Sequence, residues 1–315
     1  MRWRQGNNSG HKIEMDTVAS VEPSSTTGMT VAQLLNQSRK LLASAGIEMA
    51  ALEASWLLEE ALQTTALKLA VERNRILTPS ERHQAETLIA RRAAREPLQY
   101  ILRSQEFCGL DFEVSCAVLI PRPETELLVE ETKQALIGRD RATVVDIGTG
   151  SGCLAVTLAT LVPSACVYAV DSSAAALSVA ERNIARHSVE GRVICLQGDL
   201  CSPLSALGLA GQVDVIVSNP PYIAESEWSA LQPEVRDFEP RRALVAGEGG
   251  VEVHRRLLEQ AWKFLAPGGW LFMEIGKGQS EAIRRLAVRT GRYREPSVRR
   301  DAAGIDRVVR VQSRR

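Results

Sequence analysis

The stretch Ser218-Asn219-Pro220-Pro221-Tyr222 carries the most specific chemistry in this 315-residue chain. Two successive prolines stiffen the backbone and remove two amide donors, leaving nearby carbonyls free to face a ligand. The side-chain oxygen of Asn219 and the carbonyl of Pro220 can each accept one hydrogen from an NH2 group. Tyr222 adds a flat ring on which a planar target can stack, and Pro221 completes the wall. This set suits a nitrogen whose lone pair is delocalised into a carbonyl or a ring. Holding both of its protons makes the nitrogen more electron-rich and aims it, through orientation and stabilisation of charge that develops in the transition state. Asn219, Pro220 and Tyr222 are therefore the candidate catalytic residues. The NH2 groups of adenine, guanine, cytosine and glutamine all fit, and the motif does not choose among them.

A second constellation is Asp146-Ile147-Gly148-Thr149-Gly150-Ser151-Gly152, which follows directly on an apolar run. Glycines at alternate positions let the chain turn sharply and let a ligand lie against main chain. A dinucleotide fingerprint would need glycine at position 153, which is Cys153, and there is no P-loop lysine. A ligand without phosphates fits better, and S-adenosylmethionine, with its sulfonium and amino cations, suits Asp146. Asp171 stands nineteen residues beyond Gly152 and can accept from both ribose hydroxyls. Gly198-Asp199-Leu200 offers Asp199 to the adenine amine and Leu200 to cover the ring. The candidate cofactor residues are thus Asp146, Gly148 to Gly152, Asp171, Asp199 and Leu200, with Asn219 at the border between cofactor and target.

These loops need a scaffold that ends several strands at one place. β-Branched runs at Thr143–Ile147, Cys166–Val170, Val193–Leu196, Val213–Val217 and Trp270–Ile275 alternate with helical stretches at Leu154–Leu161, Ala174–His187, Val251–Leu265 and Gln279–Thr290. That rhythm predicts an α/β fold, a Rossmann-like, doubly wound, mostly parallel sheet over 142–315 that gathers ligands at the strand carboxyl ends. Before it, residues 29–97 read as a small helical bundle. One helix is capped by Thr30, one carries Leu52, Trp56, Leu57, Leu58 and Leu62 on one side, and one follows Thr78-Pro79-Ser80. Residues 98–141 form a connection in which Phe107–Val114 and Ala117–Ile120 are expected to pair as a hairpin. Residues 1–28 are polar and aperiodic, the pattern of a disordered extension.

Composition narrows the function further. Lys+Arg and Asp+Glu both count 38, so the chain lacks the basic excess usual for long duplex contacts. No run of 18 apolar residues suggests a membrane span, and nothing in the first 28 residues has the apolar core of a signal peptide. The six cysteines form no CxxC pair and the four histidines complete no zinc spacing. The expectation is a cytoplasmic protein without a structural metal.

The glycine loop and the three acidic strand ends resemble the Rossmann-like class I methyltransferases, over about residues 142–312. A narrower resemblance, from about Met29 to Val311, is to the release factor glutamine methyltransferases. It is carried by Arg95-Glu96-Pro97-Leu98-Gln99-Tyr100-Ile101, by Ile120-Pro121-Arg122-Pro123-Glu124-Thr125-Glu126 and by Pro233-Glu234-Val235 through Leu244. Glu274-Ile275-Gly276 with Gln279, and Asp306-Arg307-Val308-Val309, belong to the same pattern. The resemblance implies N5-methylation of the glutamine in the Gly-Gly-Gln loop of peptide chain release factors, with nucleic acid not expected as substrate. It also implies a bundle that grips the release factor and a segment around Arg122 and Glu124 that helps close the site on the substrate. The competing reading is an N-methyltransferase of adenine or guanine in nucleic acid. Two positions depart from the family pattern: Arg103, where glycine is common, and Ile305, where a polar residue is usual.

Overall fold

The computed structural model describes residues 28–315. The disordered extension expected over 1–28 therefore falls, Gly28 apart, outside the described residues. The N-terminal helices are α1 (Val31–Ser44), α2 (Ala50–Leu62), α3 (Ala66–Val71), α4 (Pro79–Ala93) and α5 (Leu98–Leu102). The Thr30 hydroxyl accepts from the Gln33 N–H while the Gln33 side chain accepts from the Thr30 N–H, a reciprocal cap that starts α1. Thr78 and Glu81 do the same for α4, with Pro79 in its first turn. Each such cap stabilises its helix by about 1 kcal/mol.

The buried face of α2 corrects the sequence expectation. Ala50, Ala54, Leu57 and Leu58 are inside, whereas Leu52 and Trp56 are each 40% exposed. Small alanines let α1 and α4 approach closely, so the packed stripe contains fewer large side chains than a reading by size suggests. The short helices α3 and α5 were not expected, because six and five residues are too few to show a period.

The connection holds a hairpin, but not the expected one. Strand β1 (Ser104–Phe107) pairs antiparallel with β2 (Leu110–Glu113) through the two-residue turn Cys108-Gly109. Both turn residues have positive φ, +51° and +76°, as a right-twisting hairpin requires. Ala117–Ile120 forms no strand; Val118 and Ile120 are instead buried beside Ala176 and Val179.

The larger domain contains α6 (Glu126–Ala135), β3 (Ala142–Ile147), α7 (Cys153–Leu161), β4 (Ala165–Asp171), α8 (Ala174–Arg186), β5 (Val193–Gln197) and β6 (Val213–Ser218). It continues with α9 (Pro233–Phe238), α10 (Glu252–Ala261), β7 (Leu265–Glu274), α11 (Ser280–Thr290), β8 (Ser297–Arg300) and β9 (Asp306–Gln312). The seven strands lie in the order β5-β4-β3-β6-β7-β9-β8. β3 to β7 are mutually parallel, and β9 turns back antiparallel against β7 and β8. This is the doubly wound, mostly parallel sheet that the sequence predicts. Val144, Val145, Val167, Val215, Val217 and Leu271 have at most 1% exposure, as strands covered on both faces require.

Two parts of this architecture place the site. The order of strands reverses at β3 and β6, which opens a crevice at their carboxyl ends. Register then sets what meets there: Ile147 lies opposite Ser218, and Ser218 opposite Met273. The glycine loop after β3, Asn219 after β6 and Glu274 at the end of β7 are therefore level with one another. The bundle is tied to the sheet domain by ions. Arg92, only 8% exposed, contacts Glu53 of α2 at 2.5 Å and Glu234 of α9 at 3.0 Å. Arg95 reaches the second Glu234 oxygen at 2.7 Å.

Candidate active site

A cavity occupies the crevice, with Gly148 to Ser151, Asp171, Asp199, Leu200 and Asn219 to Pro221 on its wall. Its cofactor side is made largely of main chain. Gly148 and Gly150 have φ of +76° and +56°, and a Cβ at Gly148 would project into open space, so the loop presents bare backbone to the cavity. Asp171 sits at the rim, where one oxygen accepts from the Gly150 N–H at 3.0 Å and the other from the Ser173 N–H at 2.8 Å. Each oxygen keeps a second lone pair for a ligand hydroxyl. Leu200 takes φ +49°, a left-handed conformation uncommon for its type and often found at functional sites. Asp199 is paired with Arg256, both partly exposed at the cavity mouth.

Two of the expected cofactor residues are not on the wall. Gly152 faces α8, where a Cβ would come within 3.1 Å of the Ala180 Cβ; its role is close packing at the start of α7. Asp146 lies beneath the loop, fully buried, with one oxygen accepting from the Thr149 hydroxyl at 2.6 Å. Its other oxygen has no hydrogen-bond partner, and burial pushes its carboxyl up to about 7. An unsatisfied buried acid under an open glycine cradle suits a cationic ligand above it. The donor set therefore fits S-adenosylmethionine.

On the target side the Asn219 NH2 donates to the Thr125 hydroxyl at 3.1 Å. That hydroxyl in turn donates to Glu274 at 2.7 Å, and the Tyr222 hydroxyl reaches the other Glu274 oxygen at 3.3 Å. Glu274 is almost wholly buried, and burial pushes its carboxyl up to about 7. Gln279 fixes the turn from behind: its NH2 donates to the carbonyls of Tyr222 and Gly250, at 2.8 and 3.2 Å, and its oxygen accepts from the Gly276 N–H at 2.9 Å. Among the described residues, no protein group donates to the Asn219 side-chain oxygen or to the Pro220 carbonyl. Two acceptors are thus left open beside the cofactor loop.

The structure does not bring Arg122, Glu124 or the expected stacking residue Tyr222 to the cavity wall. Arg122 is held by Glu239, whose carboxylate also accepts from the Ile120 N–H at 3.1 Å, so it anchors the segment to the chain after α9. Glu124 lies 3.9 Å from Arg307. Reading the sequence for chemistry missed Thr125, Glu274 and Gln279 as members of the site. A carboxylate closing the otherwise apolar run Trp270–Ile275 was the available signal.

Comparison with known proteins agrees with this geometry. Residues 33–102 match the family described as PrmC N-terminal domain, and residues 123–233 match the methyltransferase small domain. The release factor glutamine methyltransferase of Geobacter sulfurreducens is 46% identical over 280 residues, covering 89% of this chain and 95% of that protein. The enzyme of the same name from Moorella thermoacetica is 43% identical over 279 residues, covering 89% and 97%. Among solved structures, the hMettl16 catalytic domain in complex with the MAT2A 3'UTR hairpin 6 is similar with a TM-score of 0.53. That match covers 77% of this chain and 85% of the other at 18% identity, a likeness of fold alone.

Proposed function

This chain belongs to the release factor glutamine methyltransferase family, and we propose that it methylates the side-chain nitrogen of the glutamine in the Gly-Gly-Gln loop of a peptide chain release factor. S-adenosylmethionine supplies an electrophilic methyl group on a sulfonium centre. The main chain of Gly148 to Ser151 would cradle it, Asp171 would accept from its ribose hydroxyls, and Asp199 and Leu200 would hold its adenine. Asp146 offers a negative charge below the loop.

The observation that carries the reading is the pair of unclaimed acceptors, the Asn219 oxygen and the Pro220 carbonyl, at the switch in strand order. Together they can hold both protons of one NH2 group and so oppose the delocalisation that makes an amide nitrogen a weak nucleophile. Neither acceptor is a base at neutral pH, so the proton lost from the methylated nitrogen leaves to water. Tyr222, off the cavity wall and held through its hydroxyl to Glu274, supports the turn that carries the two acceptors. The bundle, fixed to α9 through Arg92 and Arg95, is our candidate for gripping the release factor.

A methyltransferase acting on a translation factor would work in the cytoplasm, and among the described residues no helix is long and apolar enough to cross a membrane. The test is to incubate the chain with radiolabelled S-adenosylmethionine and, separately, a release factor, ribosomal RNA and DNA. Label should enter the release factor alone, with mass spectrometry placing one methyl on the loop glutamine. Label in nucleic acid alone would overturn the proposal.

A further inference from the structure

An asparagine amide has two ends of nearly equal size, so shape does not decide which one meets a ligand. If NH2 faced the target at position 219, two donors would oppose each other and the site would favour a carboxylate over an amide. The direction of this side chain therefore has to be set by its hydrogen bonds, and the buried groups behind it do so.

Glu274 stands at the end of β7, level with Asn219, and Thr125 comes over the strand ends from the turn Pro123–Thr125. The two side chains are among the most buried polar groups in the molecule, 1% and 2% exposed. An ionised carboxylate only accepts, so the Thr125 hydroxyl proton is committed to Glu274 at 2.7 Å. The Thr125 oxygen is then left as an acceptor, and Asn219 at 3.1 Å can satisfy it only with NH2. The amide oxygen is thereby turned to the cavity.

We infer that Thr125 and Glu274 are positioning residues that fix the polarity of the Asn219 amide, and so make the site select an amide NH2 over a carboxylate. The inference rests on the proposed role of Asn219 as an acceptor for glutamine, and it adds what makes that residue an acceptor. Protonation of Glu274 would reverse the relay. A neutral Glu274 can donate to Thr125, whose own proton then turns to the Asn219 oxygen and leaves NH2 facing the target. Burial pushes Glu274 up to about 7, and Glu124 adds to the rise. Hydrogen bonds from Thr125 and Tyr222 and the charge of Arg307 act the other way. His254, whose ring meets the Glu274 main-chain carbonyl at 2.8 Å, is held neutral by burial, which takes its pKa down to about 4.

The experiment compares wild type, Thr125→Val, Thr125→Ser and Glu274→Gln. Binding is measured by calorimetry, with S-adenosylhomocysteine present, to a release factor and to its variant carrying glutamate in place of the loop glutamine. Wild type and Thr125→Ser should prefer the glutamine form by about tenfold or more. Thr125→Val should lose that preference, and its kcat should fall on the order of 100-fold. Wild-type kcat should drop as pH falls through about 7, and Glu274→Gln should flatten that limb.

Unchanged preference and rate in Thr125→Val would overturn the inference, as would equal loss in Thr125→Ser, which points to packing by the methyl group. Should Thr125→Val fail to fold, the pH limb decides: a profile that Glu274→Gln leaves unaltered rejects the relay. A wild type that neither binds nor methylates any release factor would defeat the proposed function itself, and the inference with it.

Discussion

On the β3–β4 side of the cavity, the groups that face a ligand come from short runs of neighbouring residues, Gly148 to Ser151 and then Asp171. On the β6–β7 side Thr125, Asn219 and Pro220 line the cavity with Glu274 and Gln279 behind them, residues drawn from places far apart in the chain. Each side also buries an acid that burial raises to about 7, but the two acids differ. Both Glu274 oxygens have hydroxyl partners, whereas Asp146 keeps one oxygen bare. The cofactor side is a backbone cradle above a buried carboxyl with one unpaired oxygen. The target side is a hydrogen-bonded relay behind Asn219 that leaves the Asn219 side-chain oxygen and the Pro220 carbonyl unclaimed. A generic donor can be bound by local geometry, while choosing one nitrogen requires several elements to agree.

The comparison predicts that damage on the two sides separates kinetically. Asn219→Ala should give the largest effect, a loss of about 100- to 1,000-fold in kcat, with cofactor affinity within about twofold of wild type. Single-turnover kinetics with calorimetry for the cofactor would check this; a large loss of cofactor affinity would merge the two sides. Asp171→Ala should show the converse, an affinity for S-adenosylmethionine weaker by about 10- to 100-fold and a smaller change in kcat at saturation. An unchanged dissociation constant would remove Asp171 from the cofactor side.

A smaller effect concerns the stability contributed by the buried acid Asp146. Asp146 is raised to about 7 from the 3.8 of an ordinary aspartate, so folding favours its protonated form. Its contribution to stability is present below about pH 4 and is lost as pH rises to about 7. Without cofactor, Asp146→Asn should therefore gain Tm relative to wild type across that window and level off above it. A gap that shrinks with rising pH would contradict the burial of an unmet charge. The smallest effect belongs to the junction between α5 and β1. Arg103 ends α5 at φ +57°, the left-handed region where glycine carries no Cβ penalty. Arg103→Gly should stabilise the chain by up to about 1 kcal/mol in denaturant titration without changing either half of the site. A loss of stability would show that Arg103 makes a contact worth more than its strain.

The same division explains what could be read in advance. β3, β4, β5 and β6 lie within one residue of the runs picked from sequence, because buried parallel strands are continuous apolar stretches that end at Gly, Asp or Asn. The place of Asn219 and Pro220 at the end of β6 was legible for the same reason, since the motif and the strand end are adjacent. β7 was legible only from Trp270 onward, since it starts at Leu265 and runs through Pro267-Gly268-Gly269, which read as a break. Gly269 fits because a Cβ there would meet the Val213 carbonyl at 2.9 Å. The hairpin was misjudged because Cys108 occupies a positive-φ position where Asn or Asp is the usual signal. Thr125 and Glu274 were invisible as a pair, for 149 residues separate them and only the tertiary fold brings the turn Pro123–Thr125 to the end of β7. Arg103 was the reverse case, a departure noticed in sequence whose cost became clear once its φ was known.

The unclaimed oxygens of Asn219 and Pro220 are proposed to hold the NH2 of the target. A crystal structure of the chain with S-adenosylhomocysteine and a release factor tests it most directly. The account predicts the glutamine nitrogen at about 3 Å from both oxygens, with the Asn219 NH2 still on Thr125. An Asn219 side chain turned away from the glutamine, or a glutamine nitrogen held by other groups, would contradict it.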